Sequence, residues 1–354
     1  MDEKKGIQNI FWPVLLIAVG GLFLLANFGV IESFNLILLL RLWPLLLVSL
    51  GMRLLIPKYA NLVSILLVLG AVVYLIAAPA LGYEPTKAAL ITEDFKEPLD
   101  NAQKAVVHLD IDRGGLTVAP LDLSTRNIIE VTATHDQIAT LTSTGREDKD
   151  ILFELDVHKD LINFFDFEDL FNQVQIETDV QLNPTIPLDL LIELGAGSAD
   201  LDLSALTLTN LDAGTGSGKL TVKLPSGEFP IDLGAGSGSL TISASANSLL
   251  NLDAGVGSGQ ITLNLAEGVQ GEVEVDSGSG RIMINVPAGI GLQITGSTGS
   301  GSVQVPSNFI RTQGSDEIGP SKSGTWESPG FDDAEFQVHV RFSVGSGSIF
   351  VEIE

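Results

Sequence analysis

The chain has 354 residues, no cysteine and a formal net charge of −25. The absence of cysteine excludes disulfides, thiolate metal ligands and cysteine nucleophiles. The acidity lies beyond residue 82, because the first 82 residues carry five basic and three acidic side chains. An acidic body of this kind repels nucleic acid, so no nucleic-acid partner is predicted.

Three apolar segments fill the first 82 residues, at about 11–31, 42–56 and 62–81. A helix needs about 20 apolar residues to cross a bilayer. The first two segments share the pattern W-P-x-L-L-[IV]-x-x-G, at Trp12–Gly20 and Trp43–Gly51. Trp favours the headgroup level, and Pro is tolerated in a first helical turn. The sequence therefore predicts a membrane domain of three transmembrane helices, which meets the lipid bilayer through residues 11–81.

The basic residues around these segments predict a topology. Lys4 and Lys5 precede the first segment, and Arg53 and Lys58 lie between the second and the third. Arg41, which lies between the first and the second, opposes this bias. Positive residues stay on the cytoplasmic side. The sequence therefore predicts a multi-pass protein of the cell membrane. Its N-terminus is predicted to be cytoplasmic, and the chain beyond residue 82 is predicted to lie outside the membrane. Residues 83–104, with Pro85 and Pro98, predict a linker.

Glycine-serine motifs recur along residues 105–354, with Ser at 198, 217, 237, 258, 279 and 300, and a seventh at Ser346. An earlier, degenerate copy is "IDRGGLTVAP" at 111–120. One copy, "GTGSGK", resembles a phosphate loop. However, Leu220 replaces the required Ser or Thr, and a β-branched alternation follows, so no nucleotide or other cofactor is predicted.

Alternating apolar residues flank each motif, as in Leu211/Ala213 before it and Leu220/Val222 after it. A period of two indicates strands with one buried face, and a period of about 20 residues indicates stacked repeats. The predicted fold is an all-β repeat domain, a right-handed parallel β-helix-like solenoid. A β-sandwich or meander is the alternative, because the sequence does not reveal the direction of strand pairing.

Acidic residues stand five positions before the turn serines, at Glu193, Asp212, Asp232, Asp253 and Glu274. Stacked rungs would bring these carboxylates about 4.8 Å apart. Repulsion at that spacing could be bridged by Ca²⁺, or it could simply be screened at a solvated edge. The four histidines show no paired metal or catalytic spacing, so the sequence predicts no metal site, with a calcium ladder as the alternative.

Two further segments interrupt the repeats. "LINFFDFEDLFNQV" at 161–174 is a candidate partner surface or a cover for the solenoid end, with its four phenylalanines at Phe164, Phe165, Phe167 and Phe171. Residues 307–335 are turn-rich and predict an insertion with Trp326 and Phe331 as anchors.

The stretch "LNPTIPLDLLIELGAGSADLDLSALTLTNLDAGTGSGKLTVKLP" at 182–225 resembles toastrack-type putative adhesin domains and LiaF-like C-terminal domains. The repeated W-P pattern is similar to the LiaI/LiaF-like transmembrane region, and the ending "FQVHVRFSVGSGSIFVEIE" is similar to a LiaF-type terminus. The resemblance implies a membrane-anchored β-repeat module without catalytic residues, associated with cell-envelope stress signalling.

These observations predict a non-enzymatic interaction or sensory module of the cell envelope. Its partner would be a membrane sensor kinase or another envelope component, and it could form homo-oligomers. An adhesive or self-assembling scaffold is the alternative, and a β-helix enzyme acting on polysaccharide is a weaker one.

Overall fold

The computed structural model describes residues 90–136, 138–156, 176–314 and 322–353, with five helical positions in the first 82 residues, at 20, 66, 69, 70 and 73. The chain divides into two units, and every described strand belongs to the second, 90–158 with 175–354. The three predicted membrane spans, apart from those five positions, and the Phe-rich segment lie outside the described residues. In the described part of the chain, no helix is both long enough and apolar enough for a membrane crossing.

The described domain is built of β-strands, which confirms the all-β prediction. Its one helical element is the three-residue 3-10 turn Phe331–Asp333. The strands are β1 Ile91–Pro98, β2 Lys104–Pro120, β3 Asn127–His135, β4 Ile138–Thr144, β5 Asp148–Asp156, β6 Glu177–Leu182, β7 Pro187–Asp202, β8 Thr207–Lys223, β9 Pro230–Ser243, β10 Leu249–Asn264, β11 Gln270–Val286, β12 Ile290–Gln304, β13 Ile310–Gln313, β14 Lys322–Glu327 and β15 Phe336–Ile353.

The repeats form a parallel stack in the order β2-β7-β8-β9-β10-β11-β15-β12. Antiparallel pairs occur towards the two ends, where β3 lies beside β6, β4 beside β5, and β14 beside β12. Hairpins between successive repeats would have made every pair antiparallel. The meander alternative is therefore wrong for these repeats.

Each strand of the stack after β2 bends at a G-x-G motif, and the two glycines are required for different reasons. A Cβ on Gly216 would lie 2.5 Å from the carbonyl oxygen of Gly195 in the preceding rung. Gly218 has φ +132°, and its Cβ would overlap the carbonyl oxygen of Gly197. The same relation repeats from rung to rung and forms two glycine columns, of which the second begins at β2 and the first at β7. The first column is Gly195, Gly216, Gly236, Gly257, Gly278, Gly345 and Gly299; the second is Gly114, Gly197, Gly218, Gly238, Gly259, Gly280, Gly347 and Gly301.

These columns correct the register predicted for the first repeat. Ala196, not Ser198, pairs with Ser217, while Ser198 pairs with Lys219. The serine alignment was wrong there because the middle residue of G-x-G marks the corner, and in this copy that residue is alanine. The degenerate copy at 111–120 is confirmed as a rung, since Gly114 of β2 pairs with Gly197 of β7.

The core lies inside the bend. Residues alternate between buried and exposed along both arms, and the alternation shifts at the corner so that both arms point their apolar side chains inward. One core column contains a residue from each successive rung, all 4% exposed or less: Leu190, Leu211, Ile231, Leu252, Val273 and Val340.

The last strand of the chain does not stack at the end of the domain. β15 lies between β11 and β12 and pairs in parallel with both. The rung containing Ser300 is therefore separated from the one containing Ser279 by the rung of Ser346. The insertion at 307–335 makes this arrangement possible, because its strands β13 and β14 separate β12 from β15 in the chain and so allow β15 to lie between β11 and β12.

Two predicted boundaries change. Residues 91–98, which were assigned to the linker, form β1 and pair antiparallel with β3. The insertion contains the paired strands β13 and β14. Its predicted anchors have partners: the Trp326 ring lies 6.4 Å from that of Phe342, and buried Phe331 meets His339 edge to face at 5.3 Å.

Candidate functional site

The outer face of the stack carries a column of carboxylates, one per rung, which we call the acidic column. It consists of Asp212, Asp232, Asp253 and Glu274 on strands β8 to β11. All four side chains are exposed. Partial burial, together with Asp212 and Asp253 on either side, raises the pKa of Asp232 above its ordinary value. The column therefore has the stacking predicted from the sequence, in four rungs.

Arg341 ends the acidic column. It stands on β15 directly beside Glu274, and its Nη1 atom donates to Oε2 of Glu272 at 3.1 Å. Thr295 of β12 follows in the next rung. The basic residue thus occupies the position at which a fifth carboxylate would extend the repulsion.

Glu193, the remaining residue of the predicted ladder, does not belong to the acidic column. It lies opposite Gly214, whereas Leu191 lies opposite Asp212. The reason is the register of the first corner, which displaces the predicted alignment by two residues. Glu193 instead pairs with Asp110 of β2 on its other side.

Asp110 and Glu193 form a separate cluster with His108. One imidazole nitrogen and one oxygen from each carboxylate all lie within 4.8 Å of one another. Partial burial raises the pKa of Asp110, and Glu193, Asp112 and Asp156 add to the effect, while His108 opposes it. Within the described residues, this is the one group of three potential metal-ligating side chains at such distances.

A groove of about 670 Å³ begins at Asp110 and Glu193 and runs over the backbone of the next rungs. Its floor includes three glycines, Gly214, Gly234 and Gly255, which we call the glycine strip. Among the described residues, no atom lies within 4 Å of a Cβ built on Gly234 or Gly255, and the nearest to that of Gly214 is 3.9 Å away. The fold would accept side chains at these positions, in contrast to the glycines of the corner.

The phenylalanines of the candidate partner surface, Phe164, Phe165, Phe167 and Phe171, lie outside the described residues. The strands at the two ends of their segment are described. β5 pairs with the first arm of β2 and β6 with its second arm, so together they form one rung. The described residues on either side of the segment therefore lie at the position of a rung's corner.

The remaining described histidines occupy structural environments. His135 is buried, with Nε2 3.3 Å from a carboxylate oxygen of Glu93. Nδ1 of His339 lies 3.2 Å from Oε1 of Gln293.

Two family models match the β-domain. Residues 85–243 match the N-terminal domain of toast_rack, DUF2154, and residues 177–326 match Toastrack DUF4097. This chain carries a toastrack domain. The resemblance predicted from the glycine repeats is thereby confirmed. A third model, the LiaI-LiaF-like transmembrane region, matches residues 10–55 and supports membrane anchoring of the toastrack domain.

Solved structures similar to the chain include two bacterial proteins. One is a putative cell adhesion protein from Clostridium sporogenes, at 15% identity and a TM-score of 0.39, covering 75% of this chain and 100% of that protein. The other is a putative adhesin from Bacteroides fragilis, at 14% identity and a TM-score of 0.35, covering 75% of this chain and 98% of that one. No curated protein matches the chain as a relative.

The cluster of His108, Asp110 and Glu193 is not predicted from the sequence. A signal was present in the spacing His-x-Asp, which puts two side chains on the same face of a strand. The third member is 83 residues further along the chain, and only the pairing of β2 with β7 brings it alongside.

Proposed function

We propose that this protein is a membrane-anchored, non-catalytic binding module of the cell envelope, which modulates signalling by a membrane partner. The observation that carries the proposal is the glycine strip. Gly214, Gly234 and Gly255 expose bare backbone at positions where the fold leaves room for side chains. Glycine at such positions marks a surface that another backbone can approach closely.

The chemistry of this surface indicates its partner. Each glycine of the strip lies two residues after a member of the acidic column, on the same face of its strand. A partner that lies on the strip would therefore have carboxylates along one side of it. An extended segment with lysine or arginine side chains fits this arrangement, and complementary charge would also accelerate its association. A basic segment of a membrane sensor kinase, or of another envelope component, would have this character.

The proposal includes a topology, with a cytoplasmic N-terminus and the toastrack domain outside the membrane. Lys219 is exposed immediately after the corner glycine of β8, and the chain has no cysteine of its own. A Lys219→Cys variant should therefore react with a membrane-impermeant maleimide on intact cells. Reaction only after lysis would overturn this topology and eliminate a role outside the cell.

The proposed fold of the repeat domain is a right-handed β-helix-like solenoid, and its ends favour a binding module over a self-assembling scaffold. A scaffold that grew by extending the parallel stack would need parallel pairing at its ends. In the described residues, antiparallel strands lie at both ends: β3 and β4 at one, β14 at the other. The segment containing Phe164, Phe165, Phe167 and Phe171 is proposed as a second contact surface, for the partner or for the membrane, because its sequence places four phenylalanines among acidic residues.

The test of this function fills the strip without disturbing the fold. A Gly234→Leu variant should reach the same level in the membrane as the native protein, because nothing lies within 4 Å of the new Cβ. In cells that carry an envelope-stress reporter, it should alter the response as deletion of the gene does. Ser217→Ala, on the exposed corner beside the strip, is the matched control and should respond as the native protein does. If deletion leaves the reporter unchanged, the proposed function is wrong. If deletion changes it but Gly234→Leu does not, the strip is not the binding surface.

A further inference from the structure

We infer that His108, Asp110 and Glu193 form a binding site for one divalent transition-metal ion of the zinc type. The inference is independent of the proposed function, since it rests on the first rungs of the stack alone. It begins with the sequence: Val107, Leu109 and Ile111 are fully buried, so the alternate residues His108 and Asp110 point outward together.

The second rung supplies the third ligand. Asp110 and Glu193 are direct partners in the parallel pairing of β2 and β7. The three ligand atoms lie within 4.8 Å of one another. Metal–ligand bonds of about 2.0–2.2 Å place ligand atoms roughly 3.3–4.4 Å apart. Small side-chain adjustments would therefore complete the site, and Glu193 has the freedom for them because it is exposed.

An unsatisfied polar atom supports the site. Nε2 of His108 is buried and has no hydrogen-bond partner among the residues that the structure describes. A buried nitrogen without a partner is costly. Coordination through Nε2 would give this atom a strong interaction and fix the tautomer of the ring.

The charges around the site also favour a cation. Glu154 of β5 pairs with Asp110 from the side opposite Glu193, and Asp112 follows two residues later on β2. The nearest arginine on that strand, Arg113, has its Nη2 atom 3.6 Å from a carboxylate oxygen of Asp136. A bound dication would offset this repulsion.

The ligand types select the metal. Imidazole suits zinc and its transition-metal neighbours, whereas calcium takes about 6–8 oxygen ligands. Three protein ligands on an exposed face leave coordination positions open to solvent along the groove that starts at Asp110 and Glu193.

The test uses the purified full chain in detergent, stripped with a chelator and titrated with ZnCl₂ by calorimetry. We expect one zinc ion per chain. His108→Ala and Glu193→Gln should each weaken binding by at least about tenfold. His339→Ala is the matched control, because the structure places that ring against Gln293 and Phe331, and within the described residues it belongs to no group of three potential ligands.

A second measurement guards against indirect effects of substitution. Cobalt(II) bound by a nitrogen-containing site of low symmetry gives visible absorption bands, which should be present in the native protein and lost in Asp110→Asn. The inference is overturned if no stoichiometric site is found, if His108→Ala binds zinc as the native protein does, if His339→Ala loses binding to the same degree, or if excess calcium displaces the zinc.

Discussion

Arg341 and Glu272 are 69 residues apart in the chain, yet Nη1 of the arginine donates to Oε2 of the glutamate at 3.1 Å. The contact exists because the C-terminal strand β15 is inserted between β11 and β12 rather than added after β12. One consequence is that the acidic column ends on a cation. Another is that β15, the last strand, which has 18 residues, is an interior element of the stack.

The interior position of β15 predicts that its buried side chains strongly affect stability. Phe342 is 4% exposed and shares a core column with Val275 of β11. Phe342→Ala should lower the free energy of unfolding by about 3–5 kcal/mol, since it leaves a cavity. The neighbouring Ser343 is exposed, and Ser343→Ala should change little. Urea unfolding followed by circular dichroism measures both. Equal, small effects would mean that β15 does not pack between its two neighbours.

The glycine columns and the glycine strip predict opposite outcomes for the same substitution. Gly238 has φ +138°, and a Cβ there would overlap the carbonyl oxygen of Gly218. Gly238→Ala should therefore destabilise the domain by more than about 1 kcal/mol. Gly234→Ala, four residues earlier on the same strand, should be neutral or slightly stabilising, because its Cβ meets nothing. Thermal unfolding of the two variants compares them directly, and similar melting temperatures would contradict the assignment of the corner.

The acidic column predicts that the stability of the protein depends on pH, with a sign opposite to that expected for a paired carboxylate. Burial and its charged neighbours raise the pKa of Asp232, so the native state binds more protons than the unfolded state between the ordinary carboxyl pKa and the raised one. Stability therefore falls as pH rises through that window. Asp232→Asn should stabilise the protein at neutral pH, and this gain should shrink as the pH falls below about 4.

The matched control for Asp232 is Asp202, whose pKa is lowered by hydrogen bonds from Ser204 and then from Lys223. Its contribution to stability is present above the ordinary carboxyl pKa and is lost as the pH falls through the lowered one. Asp202→Asn should therefore destabilise the protein at neutral pH, with a loss that diminishes in acid. Unfolding curves measured from neutral to acidic pH test both signs. A gain for Asp232→Asn that persists unchanged at low pH would contradict the electrostatic cause.

The sequence by itself determined the all-β class and the repeat. A strict alternation of apolar residues leaves one face of each strand buried. Glycine is required at the corner because a carbonyl oxygen of the neighbouring rung leaves no room for a Cβ. These are constraints that every copy must satisfy, so they recur visibly in the chain. Even so, the corner of the first repeat was misplaced, because Ala196 replaces the serine between the two glycines of that copy.

The tertiary structure decided which rungs are neighbours. Spacing along the chain places Ser300 next after Ser279, but the pairing of β15 with both β11 and β12 separates them. The same pairing put Arg341 at the end of the acidic column, and the pairing of β2 with β7 moved Glu193 away from that column to His108 and Asp110. Parallel strands can take any order in a stack whose rungs have the same shape, since each rung presents the same hydrogen-bonding edge. Local sequence therefore specifies the structure of each rung. Only the folded chain specifies the order of the rungs, and so which charged residues become neighbours.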